Sequence, residues 1–226
     1  MKRDLIFIGI IVIIIIGGVL IYQNLIREKK ISPKEEITMS EKTLKNKKIA
    51  MILAFRDFRD AEYFVPREIL EKAGAEIKTA STQRETAIGA DGGEVEVDFL
   101  VSEIKPADFD AVVFIGGPGA LKYLDNEDSY KLIRETVSQE KILASICISP
   151  VILAKAGVLE GKRATVWSSV MDKSAIKILE QNKAIYEDKP VVVDGKIITA
   201  NGPAAAEEFG EKIKEFLTPT PIPAKI

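Results

Sequence analysis

The sequence predicts an α/β domain in which a doubly wound, mostly parallel sheet is flanked by helices, preceded by one N-terminal transmembrane helix. Apolar runs of strand length alternate along the chain with segments of helical spacing, which is typical of parallel sheets with helical crossovers. Three of these runs are almost entirely apolar, as in strands that are buried on both faces. An uncharged segment near the N-terminus is long enough to cross a bilayer.

The composition excludes several classes of protein and of site. Of the 226 residues, 46% are hydrophobic and 29% are charged, which excludes wholesale disorder. The net charge of −2 gives no reason to expect a nucleic-acid partner. Cys147 is the only cysteine and histidine is absent, so this chain can form neither an intramolecular disulfide nor a Ser-His-Asp or Cys-His arrangement. We expect no metal and no cofactor, because the commonest metal ligands are missing.

Residues 5–22 predict a membrane anchor, after a short basic N-terminus formed by residues 1–4. These 18 residues carry no charge, and a helix of that length spans about 27 Å, close to the hydrocarbon thickness of a bilayer. A cleaved signal peptide is the alternative, because Lys2 and Arg3 form a basic start. The segment is longer than a usual signal core, and no small-x-small cleavage pattern follows it. We expect a single-pass membrane protein, while basic residues on both sides leave the side of the globular domain open.

Polar segments flank the predicted domain. Residues 23–46 carry both charge signs and few large apolar groups, which indicates a solvated linker. Residues 47–217 form the α/β domain. Residues 218–226 contain three prolines and are expected to form an extended tail.

The first half of the domain begins with a buried strand and a helix. Residues 48–54 are a short apolar run, and residues 61–73 have helical spacing that ends at a glycine. Residues 75–81 return as a strand. Residues 86–101 alternate in polarity around an Asp-Gly-Gly sequence, which predicts a hairpin.

The second half continues the alternation of strands and helices. Two strands that are predicted to be buried, at 111–115 and 142–146, enclose a helix at 128–140. The remaining elements are predicted as a helix, a strand, a helix, a hairpin and a helix, at residues 150–156, 163–167, 172–181, 191–200 and 204–217.

Cys147 stands where a buried strand is predicted to meet a helix within one or two residues. In α/β proteins the chemistry is found at such carboxyl ends of parallel strands. Ser145 and Ser149 lie two positions before and after the cysteine, and a nucleophile elbow requires small residues there. The start of the new helix also favours a thiolate. A buried inert cysteine is the alternative, but the strand–turn–helix context favours the functional interpretation.

Two further features fall at the same edge of the sheet. Gly116 and Gly117 open a GGPGA sequence after the second buried strand, where glycine lets backbone N–H groups approach an anion or oxyanion. A tight turn is the plainer interpretation, and phosphate binding is disfavoured because the Walker lysine and GxGxxG spacing are absent. Glu62 lies in the first turn of the first predicted helix, where a carboxylate ordinarily complements the helix dipole. It becomes chemically important if it faces Cys147.

Five motifs, taken in order, resemble the DJ-1/PfpI family of the class I glutamine-amidotransferase-like superfold, whose sheet is flavodoxin-like. The motifs are AxxxxxxAExxxP, VVFIGGPGA, SICISP, GKRATVW and TANGP, and they extend over about residues 47–217. The family hosts several activities, so the resemblance specifies the fold more closely than the chemistry.

The resemblance implies a role for each candidate residue. Cys147 matches the reactive elbow cysteine of the family, and Glu62 matches the acidic residue that hydrogen-bonds its thiol. Gly116, Gly117 and the backbone N–H of Ile148 match the donors of the oxyanion hole.

The sequence departs from the family pattern at three positions. Ile148 stands where protease-like members have histidine, Ser149 replaces a usual glycine, and Trp167 stands where relatives carry a pocket-lining histidine or tyrosine. An indole N–H only donates, so Trp167 cannot act as a base. A dyad of Cys147 and Glu62 beside an oxyanion hole remains, while peptide hydrolysis loses its usual general acid.

Four functional hypotheses follow. The leading one is a glyoxalase- or deglycase-like enzyme acting on a small carbonyl substrate or a damaged protein, because thiolate addition to an aldehyde has no difficult leaving group. The second is a redox sensor or stress protein whose accessible thiol is oxidised. A PfpI-type cysteine peptidase would need a base from another protein, because a homo-oligomer of this chain also lacks histidine. The fourth is a scaffold that keeps the elbow only as a turn. By resemblance alone, we expect a homo-oligomer.

Overall fold

The computed structural model describes residues 43–218. The predicted anchor at residues 5–22, nearly all of the linker and the Pro-rich tail after residue 218 lie outside the described residues. Within residues 43–218, each helix is too short or too polar to cross a membrane.

Strands make up the centre of the domain. The described residues contain twelve of them: β1 (Lys48–Ile52), β2 (Arg56–Phe58), β3 (Glu76–Ser81), β4 (Ala87–Gly89), β5 (Glu94–Val95), β6 (Phe99–Leu100), β7 (Ala111–Phe114), β8 (Ile142–Ile146), β9 (Arg163–Ala164), β10 (Ile185–Tyr186), β11 (Val191–Asp194) and β12 (Ile197–Ala200). Seven of these form the main sheet, in the order β11-β12-β8-β7-β1-β3-β6.

The main sheet is parallel except at one edge. All its neighbouring strands run parallel apart from β11 and β12, which form the antiparallel hairpin expected at residues 191–200. The prediction of a mostly parallel sheet flanked by helices is therefore confirmed. Because β1, β7 and β8 are consecutive in the sheet, their carboxyl ends meet at one edge, which is where α/β proteins place their sites.

Helices cover both faces of the sheet. The described residues contain six α-helices: α1 (Asp60–Lys72), α2 (Ala120–Tyr123), α3 (Glu127–Ser138), α4 (Pro150–Lys155), α5 (Ser174–Gln181) and α6 (Ala206–Leu217). Alternate residues of a strand point to opposite faces, and β1 shows the result. Ile49 and Met51 belong to the core that includes α1 and α6. Ala50 and Ile52 belong to the core that includes α3, α4 and α5.

Two regions differ from the sequence-based expectation. Only Arg163–Ala164 of the strand expected at residues 163–167 is a strand, and it pairs with β10 outside the main sheet. The three residues that follow leave this pairing: Thr165 N–H donates to a threonine side chain of β12, and Trp167 N–H donates to the carbonyl of Cys147. The hairpin expected at residues 86–101 is present as β4 and β5, whereas β6 joins the edge of the main sheet.

Candidate active site

Cys147 lies in the turn between β8 and α4, with a backbone φ of +63°. This left-handed value is strained for a residue with a side chain, and such strain is concentrated at functional sites. The N–H of Cys147 donates to the Ala200 carbonyl at 2.8 Å, and its own carbonyl accepts from the Trp167 N–H at 2.8 Å. The sharp strand–helix turn expected from the sequence is therefore present and is held from two directions.

The two serines that flank the cysteine are fully buried. Ser149 Oγ donates to the Ile115 carbonyl at 2.8 Å, which ties the turn to the end of β7. Ser145 lies within β8, where its neighbours leave it no exposed surface. A larger side chain at either position would have to displace packed core residues, so the small side chains belong to the geometry of the elbow.

Gly116 and Gly117 permit a very close approach of three segments of the chain. A Cβ atom at Gly116 would lie 2.5 Å from the Cβ of Cys147 and 2.7 Å from Oε2 of Glu62. Gly117 has a φ of +114°, and a Cβ atom there would lie 2.3 Å from the backbone nitrogen of Arg59. Real Cβ atoms do not approach other atoms this closely, so side chains are excluded at both positions.

Glu62 is fully buried in the first turn of α1, next to the cysteine. Its carboxyl group lies beside the Cys147 thiol and the Gly116 N–H, although neither oxygen makes a well-formed hydrogen bond within the described residues. Burial raises the pKa of Glu62 from 4.5 to about 7, and the nearby thiol, the Arg59 guanidinium and the Gly116 N–H act in the opposite direction. A carboxyl group with this pKa can both accept and release a proton near neutral pH.

The Cys147 thiol is partly accessible, and its proton is coupled to that of Glu62. Burial and the charge of an ionised Glu62 raise the pKa of the thiol, whereas the backbone N–H groups of Gly117 and Ile148 lower it. Because each negative charge opposes the other, the pair releases one proton far more readily than two. In the singly deprotonated pair, a protonated Glu62 can donate to a Cys147 thiolate.

A cavity of about 270 Å³ opens onto the thiol. It is wide enough for a small organic substrate, and its wall is mostly apolar. The residues that line it are Arg59, Gly117, Pro118, Leu121, Cys147, Ile148 and Trp167.

The structure brings the residues singled out in the sequence to one place. The N–H groups of Gly117 and Ile148 face the sulfur, whereas the N–H of Gly116 faces the carboxyl group of Glu62. Trp167 lines the cavity. Within residues 43–218, no group of carboxylate and thiol side chains converges in a way that would hold a metal ion.

The sequence analysis missed Arg59, which also lines the cavity. Its position three residues before Glu62 was an available signal, because both residues then lie at the start of the same helix, beside the same strand ends. The apolar lining residues Pro118 and Leu121 follow the glycines directly and gave no separate signal.

Comparison with known proteins gives a consistent picture. The family model described as the DJ-1/PfpI family matches residues 47–215. An uncharacterised protein from Methanocaldococcus jannaschii is 39% identical, over 75% of this chain and 82% of its own. The deglycase PH1704 from Pyrococcus horikoshii is 34% identical, over 68% of this chain and 90% of its own.

A further sequence relative and a solved structure also match the chain. The glutathione-independent glyoxalase DJR-1.2 from Caenorhabditis elegans is 28% identical, over 76% of this chain and 89% of its own. The crystal structure of a ThiJ/PfpI domain protein from Brachyspira murdochii superposes with a TM-score of 0.72 at 34% identity, over 76% of this chain and 97% of that one.

Proposed function

The chain belongs to the DJ-1/PfpI family, and from this premise we propose that it converts small reactive carbonyl compounds through Cys147 and Glu62. Relatives named deglycase and glyoxalase support an activity of this general kind. The observation that carries the proposal is the contact of a strained, accessible thiol with a fully buried carboxyl group whose pKa is about 7.

The chemistry begins with addition of the Cys147 thiolate to the aldehyde carbon of a 2-oxoaldehyde. The new C–S bond places a negative charge on the former carbonyl oxygen. We assign the stabilisation of this charge to the N–H groups of Gly117 and Ile148, which face the sulfur. The protonated Glu62 gives its proton to this oxygen, which completes a hemithioacetal and leaves Glu62 as the carboxylate.

Glu62 then moves a proton between two adjacent carbons. As a carboxylate it removes the hydrogen of the former aldehyde carbon, and as the acid it returns a proton to the neighbouring carbon. The hemithioacetal becomes a thioester of a 2-hydroxy acid, which water hydrolyses to restore the thiol. The net reaction adds one water molecule to the 2-oxoaldehyde and needs no external oxidant.

Peptide hydrolysis is less well supported by this site. It requires protonation of an amine leaving group, and the chain contains no histidine to supply that proton. Ile148 occupies the position directly after the cysteine and brings only its backbone N–H to the sulfur.

A thiol redox sensor is the second candidate, and one observation favours it. The partly exposed Cys147 opens onto a cavity, so peroxide can reach its sulfur. A protonated Glu62 beside that sulfur could hold one oxygen of a sulfinate by a hydrogen bond.

We also propose that residues 5–22 anchor the protein in a membrane as a single span, which brings a carbonyl-processing domain close to the lipid surface. This rests on the uncharged 18-residue segment of the sequence. A homo-oligomer is proposed from the family alone.

Methylglyoxal turnover distinguishes the two proposed functions, a carbonyl-converting enzyme and a thiol redox sensor. Full-length protein is incubated with methylglyoxal or with peroxide, and lactate and the mass of the protein are both measured, with Cys147→Ser as the matched control. We expect lactate from the wild type and none from Cys147→Ser. Oxidation of Cys147 by peroxide without any lactate from methylglyoxal would instead support the sensor.

A further inference from the structure

Arg59 is the only charged side chain among the described residues that line the cavity at Cys147. The other lining side chains are apolar, the thiol or glycine. Arg59 lies directly before α1, and its side chain is about one-third exposed, at 33%. Its charge is also felt by Glu62, whose pKa it lowers. One positively charged residue therefore lines the cavity, close enough to Glu62 to act on its pKa.

A hairpin turn holds the Arg59 side chain in place. Nη1 of Arg59 donates to both carboxylate oxygens of Asp91, at 3.1 and 3.2 Å. Asp91 lies in the turn between β4 and β5, and Asp60 fixes this turn by accepting from the N–H groups of Asp91 at 2.8 Å and Gly93 at 2.6 Å. The guanidinium group is thus oriented by a loop that is itself fastened to the start of α1.

The ion pair leaves part of the guanidinium group available. Among the described residues, Nη1 is the one side-chain nitrogen of Arg59 that donates hydrogen bonds. The N–H groups of Nη2 and Nε therefore remain available to donate to a ligand. The Asp91 side chain is more exposed, at 57%, and an exposed pair of this kind is screened by solvent. A guanidinium fork matches the geometry of a carboxylate, to which it can donate two hydrogen bonds.

We propose that Arg59 binds a carboxylate group on the substrate, so that the substrates are small 2-oxoaldehydes carrying a carboxylate. This inference rests on the proposed function and names the substrate class for the same site. The aldehyde carbon meets Cys147 while the carboxylate meets Arg59 across the cavity. With 4,5-dioxovalerate as the probe, addition of one water molecule yields 2-hydroxyglutarate by the same internal proton transfer.

A pair of alkylating reagents tests Arg59 without requiring turnover. Iodoacetate and iodoacetamide both alkylate Cys147, and they differ in carrying a carboxylate or a neutral amide. The ratio of their second-order rate constants cancels any change in the thiol pKa, because both reagents attack the same thiolate. The full-length wild type is compared with Arg59→Gln, with Arg59→Lys and with Arg56→Gln. Arg56 is a nearby exposed arginine whose guanidinium group lies over the Phe55 ring, 4.6 Å from its centre, and it does not line the cavity.

We expect Arg59→Gln to lower the iodoacetate to iodoacetamide ratio by about fivefold or more, as for the loss of a charge-assisted hydrogen bond. Arg59→Lys should give an intermediate ratio, because it keeps the positive charge but loses the fork. Arg56→Gln should leave the ratio within about twofold of the wild type, since an exposed charge outside the cavity is screened by solvent. Equal ratios in Arg59→Gln and Arg56→Gln would overturn the proposal.

Steady-state kinetics distinguishes the proposed substrate class from the carbonyl activity itself. The ratio of kcat/KM for 4,5-dioxovalerate to kcat/KM for methylglyoxal should fall by about fivefold or more in Arg59→Gln. An unchanged ratio would overturn the substrate class while leaving the carbonyl activity standing. If the wild type converts neither compound, the proposed function fails, and the alkylation ratio still decides whether Arg59 binds a carboxylate.

Discussion

The carboxyl group of Glu62 and the side chain of Cys147 meet across the bare backbone of Gly116. A single added Cβ atom at Gly116 would lie 2.7 Å from Oε2 of Glu62 and 2.5 Å from Cβ of Cys147. The acid and the thiol are 85 positions apart in the sequence. They meet because they follow β1 and β8, which lie on either side of β7 in the sheet.

Replacing Glu62 should change the reactivity of the thiol according to what replaces it. Glu62→Gln keeps a neutral hydrogen-bond donor at this position, whereas Glu62→Leu leaves the thiolate with only the backbone N–H groups of Gly117 and Ile148. We expect iodoacetamide labelling of Cys147 near neutral pH to be slower in Glu62→Leu than in Glu62→Gln, by about tenfold for each unit by which the thiol pKa rises. The measurement is the labelling rate as a function of pH. Identical pH profiles in these two variants would mean that the side chain at this position does not act on the sulfur.

Glu62 should also make the stability of the fold depend on pH. Its pKa is about 7 in the folded protein and 4.5 in its ordinary state, so the folded protein binds more protons than the unfolded chain between these values. Stability is therefore highest below the lower value and falls as the pH rises through the higher one. The full difference corresponds to about 3 kcal/mol in the free energy of unfolding.

Denaturant unfolding of Glu62→Gln checks this dependence. The glutamine in this variant cannot titrate. The free energy of unfolding of the variant minus that of the wild type should therefore increase by up to about 3 kcal/mol as the pH is raised from about 5 to about 8. Glu68→Gln, which removes an exposed carboxylate from the same helix, is the matched control. A Glu62→Gln difference that stays constant with pH would show that the carboxyl group ionises normally in the fold.

Gly116→Ala should damage the site and the fold together. The added methyl group forces apart the Glu62 and Cys147 side chains, and overpacking of this kind costs about 1–3 kcal/mol. Gly157→Ala is a control with open space around its Cβ atom but an unfavourable φ of +84°, so it should lose only about 1 kcal/mol. We expect slower labelling of Cys147 in Gly116→Ala and unchanged labelling in Gly157→Ala. Wild-type labelling in both variants would argue against the tight contact.

Removing residues 1–22 should release the protein from membranes. The uncharged segment is the only stretch of the sequence that we expect to span a bilayer. The test compares full-length and truncated protein in the membrane and soluble fractions after carbonate extraction. Intact full-length protein in the soluble fraction, or a mature N-terminus near Glu28, would contradict the anchor.

Much of the fold was predictable because its strands are short apolar runs with clear ends. The strands that became β1, β7 and β8 are short, mostly apolar runs, so their place in a parallel sheet followed from the pattern. The strand expected at residues 163–167 was overextended, because Trp167 looks apolar in sequence while its backbone is used to hold the Cys147 turn. Local pattern does not encode such a tertiary hydrogen bond.

The candidate site was predictable in its members and less so in its electrostatics. Cys147 and Glu62 could be paired because both follow parallel strands, β8 and β1, which lie on either side of β7 in the sheet. Arg59 was missed because its role depends on the hairpin turn that carries Asp91, which is distant in sequence and reaches the cavity only in the folded domain. The position of Arg59 before the helix could have placed it near this edge of the sheet, but it gives no sign of the ion pair with Asp91 that orients its side chain.

The most direct test of proton transfer by Glu62 compares methylglyoxal turnover with the reactivity of the Cys147 thiol in Glu62→Gln. The full-length wild type and this variant are assayed in parallel for lactate formed from methylglyoxal and for iodoacetamide labelling of Cys147. An amide can donate to the sulfur but cannot carry a proton between carbons. We therefore predict that Glu62→Gln keeps rapid labelling and loses lactate formation by at least about a hundredfold. Lactate formation at the wild-type rate in Glu62→Gln would contradict the account.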